Sequence, residues 1–503
     1  MNTTLEVPGL ESEIDRLACV FHGQVLHPRD LAYESARHVW NGMIDRRPAV
    51  IARCADEEDV RKAVRFARRL GLVVAVKGGG HNVAGNATCN GGLMVDLSLM
   101  RGVKVDPERR VAVVEGGCLL SDLDDSAQQW GLATPAGIVS TTGIGGLTLG
   151  GGFGWISRKF GLTIDSLLSA RLVTASGETI NATPSENQDL FWAIRGGGGN
   201  FGVATAFEFR LHPVGPQVFC GMIIHPFEQA QEYLRFHRTF VRTLPDDLTV
   251  WMVIRQAPPL PFLPQAVHGR LVVALPFVYL GDPVEGERLI EPIRKFGVPH
   301  GEAFGLHRFA GWQTTFDGLN APGAYNYWKS HYLADLSDDA VMAILSSAQH
   351  LPSPHCEIFI PHMEGAVRNA SALETAYPHR DAPFVLNIHA RWESEAESEA
   401  CMAWARGLFD ATRSASTGGV YVNFLSDEGE DRVHAAYPGS TFERLEQLKR
   451  RYDPDNFFRL NQNIRHSVLA RRATLERWPT LLASRGSSAA PRISMGKQIP
   501  EVL

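Results

Sequence analysis

The chain has 503 residues, of which 44% are hydrophobic and 21% charged, with a formal net charge of −6. That length exceeds what one core usually holds and predicts two or three domains of ordinary soluble composition. The negative balance and the lack of any long lysine or arginine block exclude a nucleic-acid scaffold.

Residues 1–19 are acidic and lack an apolar core, so no signal peptide is read there. No apolar run reaches the roughly 18 residues of a membrane span. Seven cysteines lie scattered without close pairs. They read as reduced packing residues, and the expected location is cytoplasmic.

In the first half, strands and helices alternate. Residues 49–53 form a short apolar strand, and Asp56 caps a helix with a buried stripe of Val60, Ala63, Val64 and Ala67. Gly71 ends it. The strand 72–76 then runs into Lys77-Gly78-Gly79-Gly80-His81-Asn82. Successive glycines let the backbone approach a ligand closely, and consecutive amides make an anion-binding concavity. Further strands fall at 93–97 and 111–114, and Leu120, Leu123, Ala127 and Trp130 mark a second helical stripe closed by Gly131.

The run 143–154, Gly143-Ile144-Gly145-Gly146-Leu147-Thr148-Leu149-Gly150-Gly151-Gly152-Phe153-Gly154, holds seven glycines in twelve residues. Its apolar members argue for a buried loop rather than a linker. A hairpin at 167–181 turns on Ser176-Gly177. A third glycine loop, Arg195 to Gly202, leads into a strand at 203–209.

Beyond residue 216 the pattern changes. Strands at 218–224, 248–255, 269–277, 356–360 and 384–392 accompany helices near 228–243, 338–349 and 394–412. This predicts an antiparallel sheet with helices on one face. The proline-rich stretch 257–264 reads as a hairpin tip rather than a lid. The tail after about residue 466, rich in Ser, Arg and Ala, reads as a partly disordered extension with a short helix at 470–482.

Three glycine loops in one α/β region call for one large ligand that meets the backbone repeatedly, and a dinucleotide fits. The spacing is not the nicotinamide Gly-x-Gly-x-x-Gly fingerprint, and neither a P-loop nor a Gly-x-Ser-x-Gly elbow is present. His350, His355, Cys356 and His362 lack metal-site spacing, so no metal is expected.

Five motifs stand in an order that resembles the berberine-bridge-enzyme-like FAD oxidases of the vanillyl-alcohol-oxidase type. They are the Lys77–Asn82, Gly143–Gly154 and Arg195–Gly202 loops, Tyr421-Val422-Asn423, and Asp453-Pro454-Asp455-Asn456-Phe457-Phe458-Arg459. The resemblance spans residues 46–464. It implies an α+β fold: a PCMH-type FAD-binding domain of two α/β subdomains and a substrate domain whose antiparallel sheet is backed by helices. The expected divisions are an N-terminal segment at 1–45, the FAD domain at 46–214 and the substrate domain at 215–415. A returning segment at 416–466 and the tail at 467–503 complete the chain.

The implied activity is hydride transfer from a C–H bond of a small alcohol, sugar or amine to FAD, with O₂ reoxidation giving H₂O₂. A dehydrogenase that reacts poorly with O₂, and a non-catalytic FAD-binding protein, remain open. His81 matches the histidine that bonds the flavin covalently. Val139 stands where many relatives carry a second, cysteine tether, so a single link is expected. Lys77, Gly78, Gly79, Gly80 and Asn82 are expected at the cofactor. So are Thr142, Gly143, Gly145, Gly146, Gly150 and Phe153, together with Gly202, Val203, Asn423, Asn461 and Gln462.

Tyr421 matches the family's catalytic base, with Asn423 on the same side of an extended segment. A half-buried strand tyrosine is the plain alternative. Asn387 and His389 share one face of a strand, with His389 an acid/base candidate or a core or rim histidine. Phe153 replaces a tyrosine that lowers the pKa of the base in several relatives, and Leu147 replaces a histidine common in plant members. Oligomeric state is not readable from the sequence.

Overall fold

Asp56 accepts the Asp59 N–H at 3.0 Å and opens the helix Glu57–Leu70, which Gly71 closes in the left-handed conformation. In this computed structural model, which describes residues 9–465, that helix packs its apolar stripe on a four-stranded sheet. The strand order is Gln24–Leu26, Val50–Arg53, Leu93–Asp96, Val74–Lys77. The last three are mutually parallel, and Gln24–Leu26 joins antiparallel. Parallel strands of one sheet need a crossover, and the helix Glu57–Leu70 supplies the one from Val50–Arg53 to Val74–Lys77, which flank Leu93–Asp96.

A second, wholly antiparallel sheet runs Val103–Asp106, Val111–Glu115, Val203–Arg210, Leu167–Val173, Thr179–Ala182. The helix Leu120–Gln128 packs beside it but stops before Trp130, which is exposed and not part of the buried stripe. The 143–154 run is largely buried as expected, yet it winds through a short helix, Ile144–Leu149.

The third sheet has eight antiparallel strands. Its main path is Gly301–Arg308, Gln217–Pro226, Leu271–Tyr279, Met252–Gln256, Glu357–Ile360, Phe384–Trp392, Tyr325–Leu333, and Leu248–Val250 pairs with Leu271–Tyr279. Residues 248–255 thus form two strands broken at Trp251. Side chains alternate across such a sheet. One face, including Ile223, Ile254, Val273, Ile358 and Ile388, packs in a core with the helices Ala230–Phe240, Pro283–Arg294, Asp338–Ala348 and Ser398–Ala411. The opposite face is left for the site.

The C-terminal segment returns to the first half of the chain. Lys449, fully buried, donates from Nζ to Asp453 at 2.8 Å, to the Asn200 carbonyl at 2.7 Å and to the Phe458 carbonyl at 2.8 Å. Asp453 also accepts the N–H groups of Phe457 and Phe458. A buried ion pair with its hydrogen bonds filled pins the Asp453 motif against the third glycine loop. Among the described residues no helix is long and apolar enough to cross a membrane, and all seven cysteines are free thiols. The expected tail at 467–503 lies outside the described residues.

Candidate active site

The glycine loops, the open face of the eight-stranded sheet and the returning segment enclose a cavity of about 400 Å³. Gly78, Gly79, Gly80, His81 and Asn82 line it, as do Val139, Thr142, Gly143, Gly145, Gly146 and Phe153. Gly202, Val203, Tyr421, Asn423, Asn461 and Gln462 complete the set that the sequence and the structure share. Residues from five separated stretches, 78–82, 139–153, 202–203, 421–423 and 461–462, therefore line one cavity.

The loops are built for close packing. A Cβ on Gly79 would stand 2.3 Å from the Gly143 nitrogen, and one on Gly143 would stand 2.3 Å from the Gly79 nitrogen. At Gly146 and Gly199 a Cβ would meet nothing and would project into open space at the cavity wall. Among the described residues, the N–H groups of Gly78, Gly79, Gly80 and His81 donate no hydrogen bond. Free amides in a turn and a wall without side chains suit a pyrophosphate and a flat ring system, so these residues fit FAD.

His81 sits half-buried beside this cradle. Its Nε2 lies 2.9 Å from Thr141 Oγ1, its Nδ1 lies 3.5 Å from Thr142 Oγ1, and its ring stacks on Trp40. Burial, with the Arg391 charge adding, pushes its pKa down to about 4. The imidazole is neutral at neutral pH and carries a lone pair.

Tyr421 is buried, and its oxygen accepts the Gly152 N–H and the Asn423 Nδ2 amide, both at 2.9 Å. Burial raises its pKa to about 12, against the pull of these two hydrogen bonds. Phe153 and Phe424 flank the ring, with centroids 5.2 and 4.8 Å away. Asn423 does not lie with it on an extended strand: Val422–Phe424 is a single tight helical turn that folds the amide back onto the phenol. The groups that hydrogen-bond the phenol oxygen are thus the Gly152 backbone amide and Asn423.

Three expected residues stand off the cavity wall. Lys77 donates from Nζ to the Ala36 carbonyl at 2.7 Å and lies 3.9 Å from Asp96, tied to the sheet below the loop. Gly150 backs onto Asn423, whose Oδ1 a Cβ there would approach to 2.2 Å. Asn387 is fully buried and meets the site through a short hydrogen bond to His389 Nε2. His389 does line the cavity, stacked face to face on Trp328 at 4.2 Å. Both of its ring nitrogens are engaged, the second by Glu357 at 2.9 Å.

Glu357 and Arg255, joined at 2.6 Å, are the two formally charged side chains on the described wall. Burial raises the Glu357 pKa, but the Arg255 charge and the His389 hydrogen bond outweigh it and hold it down to about 2. Neither residue was picked out from the sequence. A lone charge at an alternate position of an apolar strand was the available signal, as at Glu357 before Ile358-Phe359-Ile360. Apolar side chains make up the rest of the sheet wall, among them Trp251, Val253, Ala274 and Phe359. The proline-rich hairpin, expected at the surface, contributes Ala257, Pro258, Leu260 and Leu263 to the wall.

Residues 48–183 match the FAD binding domain family, and residues 420–465 match the berberine and berberine like family. An FAD-linked oxidoreductase of Dictyostelium discoideum is 33% identical over 85% of this chain and 90% of its own. (R)-6-hydroxynicotine oxidase of Paenarthrobacter nicotinovorans is 31% identical over 88% of this chain and 96% of its own. The crystal structure of 6-hydroxy-D-nicotine oxidase from Arthrobacter nicotinovorans superposes with a TM-score of 0.79 at 30% identity, covering 88% of this chain and 98% of that one. Glucooligosaccharide oxidase from Acremonium strictum, described with a 6-S-cysteinyl, 8α-N1-histidyl FAD, gives a TM-score of 0.78 at 23% identity, covering 88% and 97%. That last likeness shows the fold alone. With its glycine cradle, returning C-terminal segment and these relatives, the chain belongs to the berberine-bridge-enzyme-like, PCMH-type FAD-linked oxidoreductases.

Proposed function

We propose that this protein is an oxidase that takes hydride from a C–H bond of a small alcohol, sugar or amine, with FAD held covalently by His81 and O₂ reoxidation giving H₂O₂. The observation that carries this reading is the convergence of a neutral His81 imidazole and a buried Tyr421 phenol on one cavity. FAD, when bound, supplies the hydride acceptor. The N–H groups of residues 78–81 would hold its phosphates, and His81 would offer a nucleophilic nitrogen. Val139 has no nucleophile, so the link is single.

Tyr421 acts as its phenolate, which the Gly152 N–H and Asn423 amide stabilise, and Oη becomes the neutral phenol when it takes the proton from the substrate hydroxyl or amine. Asn387 holds His389, and His389 with Glu357 offers the polar edge of an otherwise aromatic wall. Trp251, Trp328, Phe359 and Phe424 favour a compact aromatic or apolar substrate. The similarity to (R)-6-hydroxynicotine oxidase supports an amine of that kind. Seven unpaired cysteines fit a cytoplasmic location.

The test is an anaerobic screen of aromatic alcohols, cyclic amines, phenols and sugars for bleaching of the flavin, followed by mixing with aerated buffer. Prompt return of the yellow colour with one H₂O₂ per turnover supports the oxidase. Bleaching without rapid reoxidation makes the protein a dehydrogenase, and no bleaching by any compound removes the enzymatic reading.

A further inference from the structure

Three side chains meet on one imidazole. Thr141 Oγ1 lies 2.9 Å from His81 Nε2, Thr142 Oγ1 lies 3.5 Å from Nδ1, and the Trp40 ring stacks on the imidazole with centroids 5.3 Å and planes 18° apart. Trp40 is itself fixed. Its indole N–H donates to the Asn320 carbonyl at 2.6 Å and its backbone N–H to the Gly80 carbonyl at 3.1 Å. The Arg391 guanidinium sits 5.5 Å over the same ring. Thr142, the neighbour of Nδ1, lines the cavity, and Thr141, the neighbour of Nε2, does not.

A neutral imidazole carries one N–H and one lone pair, and the partner of one nitrogen decides which is which. We infer that Thr141 and Trp40 form a clamp that holds His81 as the Nε2–H tautomer and presents Nδ1 as the nucleophile for covalent attachment of FAD. The inference rests on the covalent reading above. Thr141 accepts the Nε2–H, which leaves the Nδ1 lone pair facing the cavity. Trp40 stops the ring from rotating away.

The step balances with O₂ as oxidant. One C–H bond of the flavin 8α-methyl breaks and the Nδ1–C8α bond forms. The proton from the 8α-methyl and the proton from Nε2 are the two that, with two electrons, leave on O₂ as H₂O₂. Positive charge grows on the imidazole as Nδ1 forms its bond, so the Thr141 hydrogen bond to Nε2–H strengthens along the step. Both residues are positioning residues: they act through His81.

The test uses the full chain as wild type, Thr141→Val, Thr141→Ser, Trp40→Leu and Trp40→Phe. The flavin retained by acid-precipitated protein is followed over time after FAD is supplied. The bonded nitrogen is identified by NMR of the flavin peptide. The wild type should give the Nδ1 adduct. Thr141→Val and Trp40→Leu should attach FAD about tenfold more slowly, or give mixed Nδ1 and Nε2 adducts, because an oriented nucleophile is lost. Thr141→Ser and Trp40→Phe should restore wild-type behaviour.

Non-covalent FAD uptake and the thermal midpoint read folding separately. A wild-type adduct on Nε2, or wild-type rates and pure Nδ1 adducts in Thr141→Val and Trp40→Leu, overturns the clamp. So does a defect that follows lost FAD uptake and is not restored by serine or phenylalanine. A wild type whose flavin is fully released by acid overturns the covalent reading itself, and the clamp with it.

Discussion

Asn423 points one amide nitrogen at two oxygens, the Tyr421 phenol at 2.9 Å and the Leu147 carbonyl at 3.1 Å. The carbonyl belongs to the central glycine-rich stretch, so the orientation of the amide is set by the cofactor loop. The phenol oxygen receives its two hydrogen bonds from groups that this loop either supplies or orients.

Tyr421→Phe should lower the anaerobic flavin-reduction rate by about 10²–10⁴-fold, the usual contribution of a general base, with FAD content unchanged. The phenol, raised to about 12, is protonated at neutral pH. Its basic form grows as pH rises, so oxidation of a substrate O–H should accelerate toward alkaline pH. Asn423→Leu removes one donor and should move that profile further alkaline. Stopped-flow reduction across pH decides the matter, and a Tyr421→Phe enzyme within a few-fold of wild type removes the residue from catalysis.

Wild-type protein precipitated in acid should stay yellow, and the peptide holding His81 should carry the flavin mass. His81→Ala should bind FAD reversibly and oxidise substrate more slowly. No peptide containing any of the seven cysteines should carry flavin. Val139→Cys places a thiol on the cavity wall and should add a second link, read as a further cross-linked peptide.

The cradle was legible in the sequence because glycine at positions such as Gly79 and Gly143 answers a steric demand that no other residue meets. His81 and Tyr421 were legible as candidates, and both line the cavity beside that cradle. Lys77 was misread because a chain-local reading cannot see Ala36, whose carbonyl takes its ammonium. Period-two alternation rightly put Asn387 and His389 on one face. It could not reveal that Asn387 lies under its neighbours while His389 reaches the cavity. Glu357 pairs with His389 only through the register of two strands distant in sequence, a tertiary fact. The strands Gly301–Arg308 and Tyr325–Leu333 were unread for a different reason. Polar residues interrupt their alternation, and pairing within the sheet sets their conformation.

Glu357 should make stability depend on acid pH. Its folded pKa of about 2 lies below the ordinary 4.5, so the folded chain favours the carboxylate. The stabilisation is complete above the ordinary value and is lost as pH falls through the folded one. At neutral pH, Glu357→Gln leaves Arg255 buried without its counter-charge, and breaking such a pair costs about 3–5 kcal/mol. Thermal melts should show a gap between wild type and variant that narrows between about pH 4.5 and 2. A gap that is the same at neutral pH and at the acid end of this window rules the pair out as its source.

Gly150→Ala should damage chemistry without touching substrate. Gly150 has an ordinary right-handed backbone, φ −95° and ψ −1°, so alanine brings no conformational strain. Its Cβ would stand 2.2 Å from Asn423 Oδ1 and 2.5 Å from Nδ2, distances that no contact tolerates. The Asn423 side chain is the part free to move, and moving it withdraws the amide from Tyr421. The variant should therefore keep its FAD and its fold but reproduce the alkaline shift of Asn423→Leu. Combining the two substitutions should add little, because both remove the same hydrogen bond and coupled sites are not additive. The check is the pH dependence of anaerobic reduction in both single variants and the double. Fully additive losses, or a Gly150→Ala profile unshifted from wild type, would separate Gly150 from Tyr421.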